Sequence, residues 1–453
     1  MRRFLTIILL IALLTGGSGW LYWLSLDPGP GPHPIVELPD RAFVIRVTDY
    51  FGHRVFRRGE NYTGWVLLPD TQSLGRTGMQ RGSMVDSSPP LRPEVCRECH
   101  EDYYDRFVET AHFQTSLPAT PEYVHGSFES RDNTVTTRCD IRFDLIRDGG
   151  ELQQQVSATW HGRTFTHSER MDIALGSGIR GQTFLYWQEN RLFELPVSWY
   201  SEPNAWANSP SYRDGTANFA RPIIERCLSC HATWFESSPL LLNTYNRDTY
   251  ILGVTCVRCH GDAAQHVKHH RAHPDDTEAR HLTVLSELDA AQLNDVCAQC
   301  HSGLGRLLRG GFDFRPGDAL DEYLEFPPGA GHGKASDPHT ANQLVRLQSS
   351  RCFQASDAMT CVTCHSPHDR ETGQLGLYAE RCHQCHETES CGVFERAGNA
   401  IQSHCIDCHM ELPANEQIRI NQQGDQMNPR IRDHLIGVFP DLTESVLNRI
   451  NGQ

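Results

Sequence analysis

The stretch CVRCHGDAAQH, residues 256–266, contains a pattern that recurs along the chain: two cysteines two residues apart, with histidine directly after the second. Seven copies of this CxxCH motif, numbered 1 to 7 in chain order, occur at Cys96/Cys99/His100, Cys227/Cys230/His231, Cys256/Cys259/His260, Cys297/Cys300/His301, Cys361/Cys364/His365, Cys382/Cys385/His386 and Cys405/Cys408/His409. The chain has 17 Cys and 24 His in 453 residues, and this composition alone would produce only about 0.03 copies. The repetition therefore has a chemical cause.

Each motif has the form of a c-type haem attachment site. The two cysteines form thioethers to the macrocycle, and the histidine supplies one axial ligand to the iron. Zinc ribbons also use paired CxxC units, with four ligands for each metal. Zinc fits less well, because seven units leave one unpaired and histidine has no reason to follow every second cysteine. The sequence therefore predicts seven covalent haem c groups.

The N-terminus has the form of a membrane anchor. Arg2 and Arg3 precede an uncharged run from Phe4 to Leu26, which as a helix would span roughly 34 Å. We expect residues 1–26 to be an uncleaved signal anchor, with a cleaved signal peptide as the alternative. The positive end should remain in the cytoplasm, which places the rest of the chain on the outer, periplasmic face of the membrane. The net charge of −15 argues against nucleic acid as a partner.

The motifs are unevenly spaced, since one lies at 96–100 and six are crowded into 227–409. Such density leaves little protein for each haem, so we expect short helices and loops around a largely porphyrin interior. The predicted units are a signal anchor (1–26), a Pro/Gly linker (27–34), a partly β segment (35–90), a first haem site (91–120), an antiparallel β insertion (121–220), a six-haem domain (221–440) and a C-terminal tail (441–453). The predicted fold class is α+β.

The β insertion is predicted from alternating polar and apolar residues separated by turn sequences. The runs are 135–146, 151–160, 163–175, 179–187 and 191–199. They predict an antiparallel meander of about five strands. The stretch Ala42–Leu68 has similar character and is expected to add strands to the same sheet.

The second axial ligand of each iron decides between an electron carrier and a catalyst. Of the 24 histidines, 7 belong to the motifs, which leaves 17. His368 follows His365 by three residues and His266 follows His260 by six, so each can reach an iron, in particular that of a neighbouring motif. The five candidate distal ligands are His112 on a predicted helix, His266, His339, His368 and His434.

Other candidates are weaker. The histidines in this group are His125, His161, His167, His332 and His404. The cluster His269, His270 and His273 is interpreted as a solvated loop in preference to a metal site. Met359 is a weaker candidate for a sulfur ligand, whereas Met410 should face away from the iron bound by His409.

Three cysteines lie outside the motifs. Cys352 and Cys391 flank motifs 5 and 6, and in an oxidising compartment they are candidates for a disulfide. Cys139 then has no partner and is expected to be a small buried residue on a strand.

The chain resembles the multihaem cytochrome c superfamily that includes pentahaem nitrite reductase, hydroxylamine oxidoreductase and cytochrome c-554-like carriers. The resemblance covers roughly 90–440. It is carried by CVRCHGDAAQHV (256–267), SRCFQASDAMTCVTCHSPH (350–368), CIDCHM (405–410) and GSGIRGQTFLYW (176–187) continuing to RPIIERCLSCHATWF (221–235). The chain is most similar to membrane-anchored heptahaem cytochrome c family proteins. The resemblance implies parallel and perpendicular haem pairs with mostly bis-His ligation, and distal roles for His266 and His368.

Two departures from the superfamily bear on activity. Pentahaem nitrite reductases typically carry one CxxCK motif, whereas all seven motifs here end in histidine. Hydroxylamine oxidoreductases cross-link a tyrosine to the catalytic haem, and no tyrosine of this chain can be assigned that role. Neither activity therefore transfers directly.

The sequence favours an electron-transfer protein. Its redox partner is expected to be a membrane quinol oxidase or a periplasmic reductase, with membrane association through the N-terminal helix. The alternative is a multihaem oxidoreductase acting on a small nitrogen or sulfur compound at one five-coordinate haem, since five distal candidates for seven irons leave up to two positions open. A third reading is an assembly or scaffold subunit of a larger complex.

Overall fold

A computed structural model describes residues 53–58, 63–68, 89–137, 141–160, 163–212, 214–238, 243–303, 305–326, 343–414, 420–422, 425–427 and 430–452. The predicted signal anchor (1–26) and linker (27–34) lie outside these ranges. Within them, no helix combines the length and the apolar character that crossing a membrane requires.

Most helices are short, and several are built on the motifs. In chain order they are α1 (Glu94–Arg97), α2 (Glu101–Phe107), α3 (Glu225–His231), α4 (Cys256–His260), α5 (Ala264–Ala272), α6 (Ala290–His301), α7 (Gln343–Gln348), α8 (Arg351–Gln354), α9 (Leu375–Cys382), α10 (Phe394–Ala397), α11 (Cys405–His409) and α12 (Pro440–Ile450). Positions i, i+3 and i+4 share one face of a helix. A helical motif therefore presents both sulfur atoms and the imidazole on the same side.

Helix α6 carries motif 4 at its C-terminal end and has a well-defined start. The Asp289 carboxylate accepts a hydrogen bond from the backbone N–H of Gln292 at 2.8 Å. The Gln292 side-chain oxygen accepts one from the backbone N–H of Asp289 at 3.2 Å. This reciprocal capping box satisfies two N–H groups that the helix would otherwise leave unpaired.

Strands are most frequent before motif 2 and continue beyond it. They are β1 (His53–Arg58), β2 (Thr63–Leu68), β3 (Ser116–Pro118), β4 (Thr134–Thr136), β5 (Ile141–Asp148), β6 (Glu151–Trp160), β7 (Arg163–Arg170), β8 (Ile173–Leu175), β9 (Gly181–Gln188), β10 (Arg191–Glu194), β11 (Val197–Tyr200), β12 (Ala205–Asn208), β13 (Thr216–Asn218), β14 (Arg221–Pro222), β15 (Ala232–Ser237), β16 (Tyr245–Leu252), β17 (Arg306–Leu307), β18 (Leu324–Glu325), β19 (Ile420–Gln422) and β20 (Asp425–Met427). The α+β class predicted from the sequence is confirmed.

The predicted single meander is wrong, because the strands form two sheets. One has the order β4–β5–β6–β7; the other has the order β12–β11–β9–β10–β14, with β8 pairing both β9 and β3. The predicted strand 163–175 passes from one sheet to the other. Met171 donates its backbone N–H to Leu152 of the first sheet, and Asp172 donates to Leu185 of the second. The predicted strand 191–199 is interrupted at Pro196, which has no N–H to donate to a sheet.

The two sheets share one hydrophobic core. Phe143 and Leu145 contribute from the first sheet, and Phe184, Tyr186 and Trp206 from the second. Alternation of buried and accessible residues along β5 is the pattern expected of a sheet covered on one face. The sandwich therefore has its own core, independent of any cofactor.

One further sequence expectation differs from the structure. Strands β1 and β2 form, but β1 pairs with β2, and β2 pairs with β13, in a separate sheet. The C-terminal tail contains helix α12, which buries Val446 and Leu447. Its exposed Arg396–Glu444 ion pair, at 2.6 Å, joins it to α10.

Candidate haem sites

The motif helices border a large cavity of about 2700 Å³. Its wall includes the two cysteines and the histidine of motifs 2, 4, 5, 6 and 7, together with Cys259 of motif 3. Thiols and imidazoles that face a common cavity are the donor set that covalent haem requires. The residues present therefore fit the cofactor that the motifs predict.

Cys99 of motif 1 lies apart from the donors that line the large cavity. It is exposed, and none of the three donor residues of motif 1 is among those that border the large cavity. Helix α1 ends at Arg97, and Cys99 lies in the following turn, where its N–H donates to the carbonyl of Cys96 at 3.3 Å. That turn keeps Cys99 beside Cys96, and haem attachment through Cys99 stays a prediction.

Thiols of different motifs approach one another within this arrangement. The pairs in contact are Cys96 with Cys256, Cys230 with Cys300, Cys297 with Cys361, and Cys382 with Cys405. Cys259 is close enough to Cys297, and Cys364 to Cys382, for their charges to interact. The motifs thus form a continuous series in the order 1–3–4–5–6–7, with motif 2 beside motif 4.

Two imidazoles that bind opposite sides of one iron have their ring centroids roughly 6 Å apart, because each metal–nitrogen bond is about 2 Å. Four motif histidines in the described ranges face another histidine at this separation. The pairs are His100–His266 at 6.4 Å, His260–His368 at 6.2 Å, His301–His112 at 6.2 Å and His365–His434 at 6.1 Å.

These pairs contain four of the five predicted distal ligands, and each candidate faces a motif other than the one it follows. His266 follows motif 3 and faces motif 1, whereas His112 follows motif 1 and faces motif 4. His339 lies outside the described residues. His112 is also not on a helix, since α2 ends at Phe107 and His112 immediately precedes the 3-10 turn Phe113–Thr115.

The planes of the paired rings differ. They are nearly parallel in His100–His266 and His260–His368, at 16° and 13°, and they are tilted by 29° in His365–His434. In His301–His112 the angle is 74°.

Hydrogen bonds at Nδ1 orient several of the rings. His266 donates to the carbonyl of Arg280 at 2.8 Å, and His409 to that of Gly437 at 2.7 Å. Nδ1 of His231 lies 2.9 Å from the hydroxyl oxygen of Thr115. A carbonyl partner fixes the tautomer and leaves Nε2 as the donor atom for a metal.

Burial favours the neutral imidazoles that can bind iron. It lowers the pKa of His301 to about 4, with a smaller contribution from the charge of His112. It also lowers the pKa of His434 to about 4, with His365 contributing next.

Three motif histidines remain outside these four pairs. His231 contacts Thr115, as described above. In the described part of the chain, no histidine ring faces His386 or His409 at a comparable separation.

The weaker histidine candidates have other surroundings. His125 stacks on Trp199 at 5.3 Å, and His167 lies 3.0 Å from Glu169 within β7. His404 lies 3.7 Å from Asp407. His161, His332 and Cys139 lie outside the described residues.

Two further predictions concern a bare metal site and a disulfide outside the motifs. No group of three or more His, Cys, Asp or Glu side chains within the described ranges is arranged to hold a bare metal ion. The predicted disulfide between Cys352 and Cys391 does not form, because both thiols are free. They border different motifs: Cys352 acts electrostatically on Cys364, and Cys391 on Cys408.

Sequence reasoning missed a buried carboxylate beside motif 2. Glu194, at the end of β10, is 6% exposed and lines the large cavity. Its Oε2 lies 3.2 Å from Nε of Arg221. Burial raises the pKa of Glu194 to about 7, and Arg221 opposes this shift. The available signal was an acidic residue within the apolar run LFELPV (192–197).

The surroundings of Glu194 respond to its charge. Burial, and then the charge of Glu194, raises the pKa of the Cys227 thiol and of the Tyr200 and Tyr212 phenols. Arg221 is the cation that faces the carboxylate. Protonation of Glu194 therefore changes the electrostatic field at motif 2.

We expect the reduction potential at motif 2 to fall as pH rises through about 7. The ionised carboxylate disfavours an added electron, with an upper limit of about 59 mV per pH unit for one proton per electron. Redox titration at several pH values should show this slope, and Glu194→Gln should remove it. Glu202→Gln, at an exposed position, is the control. An unchanged slope in Glu194→Gln would assign the proton to another group.

Comparison with known proteins gives one family match. Residues 184–261 match the family model for cytochrome c554 and c-prime. The matched segment begins in β9, includes all of motif 2 and ends just after motif 3. No protein of curated function matches the chain. The motifs and the matched segment support a multihaem c-type cytochrome, a class whose cofactor is covalent haem c.

Similar solved structures include two cytochromes. One is the outer cell wall cytochrome OcwA, at 17% identity and a TM-score of 0.49, covering 79% of this chain and 82% of that chain. The other is the undecahaem cytochrome from the S-layer of Carboxydothermus ferrireducens, at 15% identity and a TM-score of 0.34. That match covers 85% of this chain and 58% of the S-layer protein.

Proposed function

We propose that this protein is a heptahaem c-type cytochrome that transfers electrons on the periplasmic face of the cytoplasmic membrane. Residues 1–26 would anchor it, and its partners would be a membrane quinol oxidase or a periplasmic reductase. The observation that carries the proposal is the set of four histidine pairs at 6.1–6.4 Å. Two facing imidazoles would leave a bound iron no open position for a substrate, so these four sites favour electron transfer.

The continuous series of motifs supports the same function. Haem c supplies one-electron redox chemistry when it is bound. The chain's own residues set the spacing, since the contacts between Cys96 and Cys256, and between Cys382 and Cys405, bring neighbouring attachment sites together. Motifs 1 and 7 lie at the two ends of this series, and motif 2 forms a branch beside motif 4. Cys99 of motif 1 and Cys385 of motif 6 are both exposed, which suits exchange of electrons with a partner at these two motifs.

Ligation across motifs would also limit structural change during electron transfer. His266 is held on α5 by its hydrogen bond to Arg280, and it faces an imidazole from a different segment. Both faces of such a site are fixed by separate parts of the fold. The two segments would therefore hold their imidazoles in place in both oxidation states of a bound haem.

We expect mass spectrometry of the purified protein to find seven covalent haems, and electron paramagnetic resonance of the oxidised form to show low-spin iron. Fewer haems would show that some motif is not used for attachment. A high-spin signal that changes on addition of nitrite or hydroxylamine would contradict a pure carrier and support an oxidoreductase with one five-coordinate haem.

A further inference from the structure

Two buried arginines lie where motifs 2, 3 and 4 converge. Arg226 directly precedes Cys227 and is 6% exposed; Arg258 lies within motif 3 and is 7% exposed. Nη1 of Arg226 is 2.9 Å from Sγ of Cys230, and that thiol contacts Cys300 of motif 4. The two guanidinium groups therefore lie beside the attachment sulfurs of three motifs.

Neutral acceptors surround both groups. Arg226 donates to Oγ of Ser229 at 3.1 Å and to the carbonyls of Gln299 at 3.2 Å and Gly303 at 2.8 Å. Arg258 donates to the carbonyl of Ser229 at 2.9 Å and to Oε1 of Gln299 at 2.6 Å. Nε of each arginine is buried without a hydrogen-bond partner, and no carboxylate of the described residues pairs with either group.

Other partly buried arginines of this protein have an acidic partner. Examples are Arg221 with Glu194, Arg346 with Asp433, and Arg381 with Glu371. Burying a cation without a counter-charge is strongly unfavourable. Arg226 and Arg258 lack such a partner among the described residues. This indicates that a group other than a protein side chain supplies negative charge beside them.

We propose that Arg226 and Arg258 form an electropositive centre that stabilises electrons on the haems of motifs 2, 3 and 4. This inference rests on the proposed electron-transfer function. An electron from the neighbouring haem or from a reduced partner converts ferric to ferrous iron and adds one negative charge, with no bond formed or broken. Buried positive charge favours the reduced state, because the low-dielectric surroundings screen it weakly.

The haem propionates are the other source of negative charge. Thioether bonds attach haem c at the edge opposite its propionates, and Arg226 contacts the attachment sulfur Cys230. The guanidinium of Arg226 is thus at the thioether edge of motif 2.

Spectroelectrochemical titration of the full haem-loaded protein tests the proposal. We expect Arg258→Gln to make at least one haem tenfold harder to reduce, a shift of about 59 mV for a one-electron couple. Arg258→Lys, which keeps the charge, should restore most of the potential. Arg309→Gln, at a residue whose side chain is 49% exposed, is the control and should leave the potentials unchanged.

Gln299→Glu provides a second test that keeps both arginines. The new carboxylate would replace the amide oxygen that lies 2.6 Å from Arg258, and it should lower the same potential. If the haem reduction potentials of Arg258→Gln and of Gln299→Glu are both the same as those of the control, the proposal is overturned. Loss of a haem from both variants, measured by mass spectrometry, would overturn it too, because the pair would then serve haem assembly. A wild-type protein with fewer than seven haems would contradict the proposed function alone.

Discussion

Replacement of His368 by alanine is expected to convert one low-spin haem to a high-spin form. His368 faces His260 of motif 3 with nearly parallel rings at 6.2 Å, so its removal opens one axial position of a single iron. Electron paramagnetic resonance should show the new high-spin signal. The reduction potential of the same haem should also change strongly, since the choice of axial ligand spans about 0.8 V across haem proteins.

Two further variants make this experiment specific. His368→Met keeps a sixth ligand, so the iron should stay low-spin while its potential rises, as it does with His/Met ligation. His273→Ala changes a histidine that faces no motif imidazole within the described ranges, and it should leave all haems low-spin. A spectrum of His368→Ala identical to that of the wild type would remove His368 from the ligand set.

Replacement of Asp433 by alanine is expected to destabilise the protein by about 3–5 kcal/mol, because it leaves a largely buried cation unpaired. Asp433 is 3% exposed and accepts from Nε of Arg346 at 2.9 Å and from Nη2 at 2.5 Å. It also accepts from the backbone N–H of Leu435 at 2.9 Å. Chemical denaturation followed by circular dichroism measures the loss.

The same substitution should disturb motif 5. Asp433 precedes His434, whose ring lies 6.1 Å from that of His365, so loss of its bonds frees the segment that presents His434. We expect a high-spin signal to accompany the lower stability. Glu325→Ala breaks the exposed ion pair with Arg306 and should cost at most about 1 kcal/mol. If Asp433→Ala and Glu325→Ala lower the free energy of unfolding by the same amount, Asp433 has no special role.

The local chemistry of this chain could be predicted from its sequence. CxxCH specifies sulfur and nitrogen donors at neighbouring positions, and α4 and α11 realise this spacing as single helical turns. His266 and His368 were predicted as distal candidates because a short separation from a motif limits how far a side chain can lie from an iron. The predicted runs 151–160 and 179–187 also correspond closely to single strands, β6 and β9, since alternation of polar and apolar residues is a local property.

The pairing of these elements could not be predicted in this way. Nothing in the residues around His112 specifies that it faces His301, nearly two hundred positions later in the chain. The passage of the chain between two sheets at Met171 and Asp172 depends on hydrogen bonds to Leu152 and Leu185.

The burial of the motifs and of their charged neighbours could not be predicted from the sequence either. Cys99 and Cys259 occupy the same position of their motifs, yet Cys99 is exposed and Cys259 lines the large cavity. Glu194, Arg226 and Arg258 gain their importance only from burial. In each case the packing of distant segments, and not the local sequence, sets how much water reaches the side chain.

The sequence by itself determined the donor atoms: seven repeats of two cysteines and a histidine, each short enough to be set by local helical geometry. Only the tertiary structure decided which imidazoles face one another, which motifs are neighbours, and where charge is buried without a partner. The physical reason is that covalent attachment needs residues within one helical turn, whereas a second ligand and an electrostatic environment come from whichever segments the fold brings together.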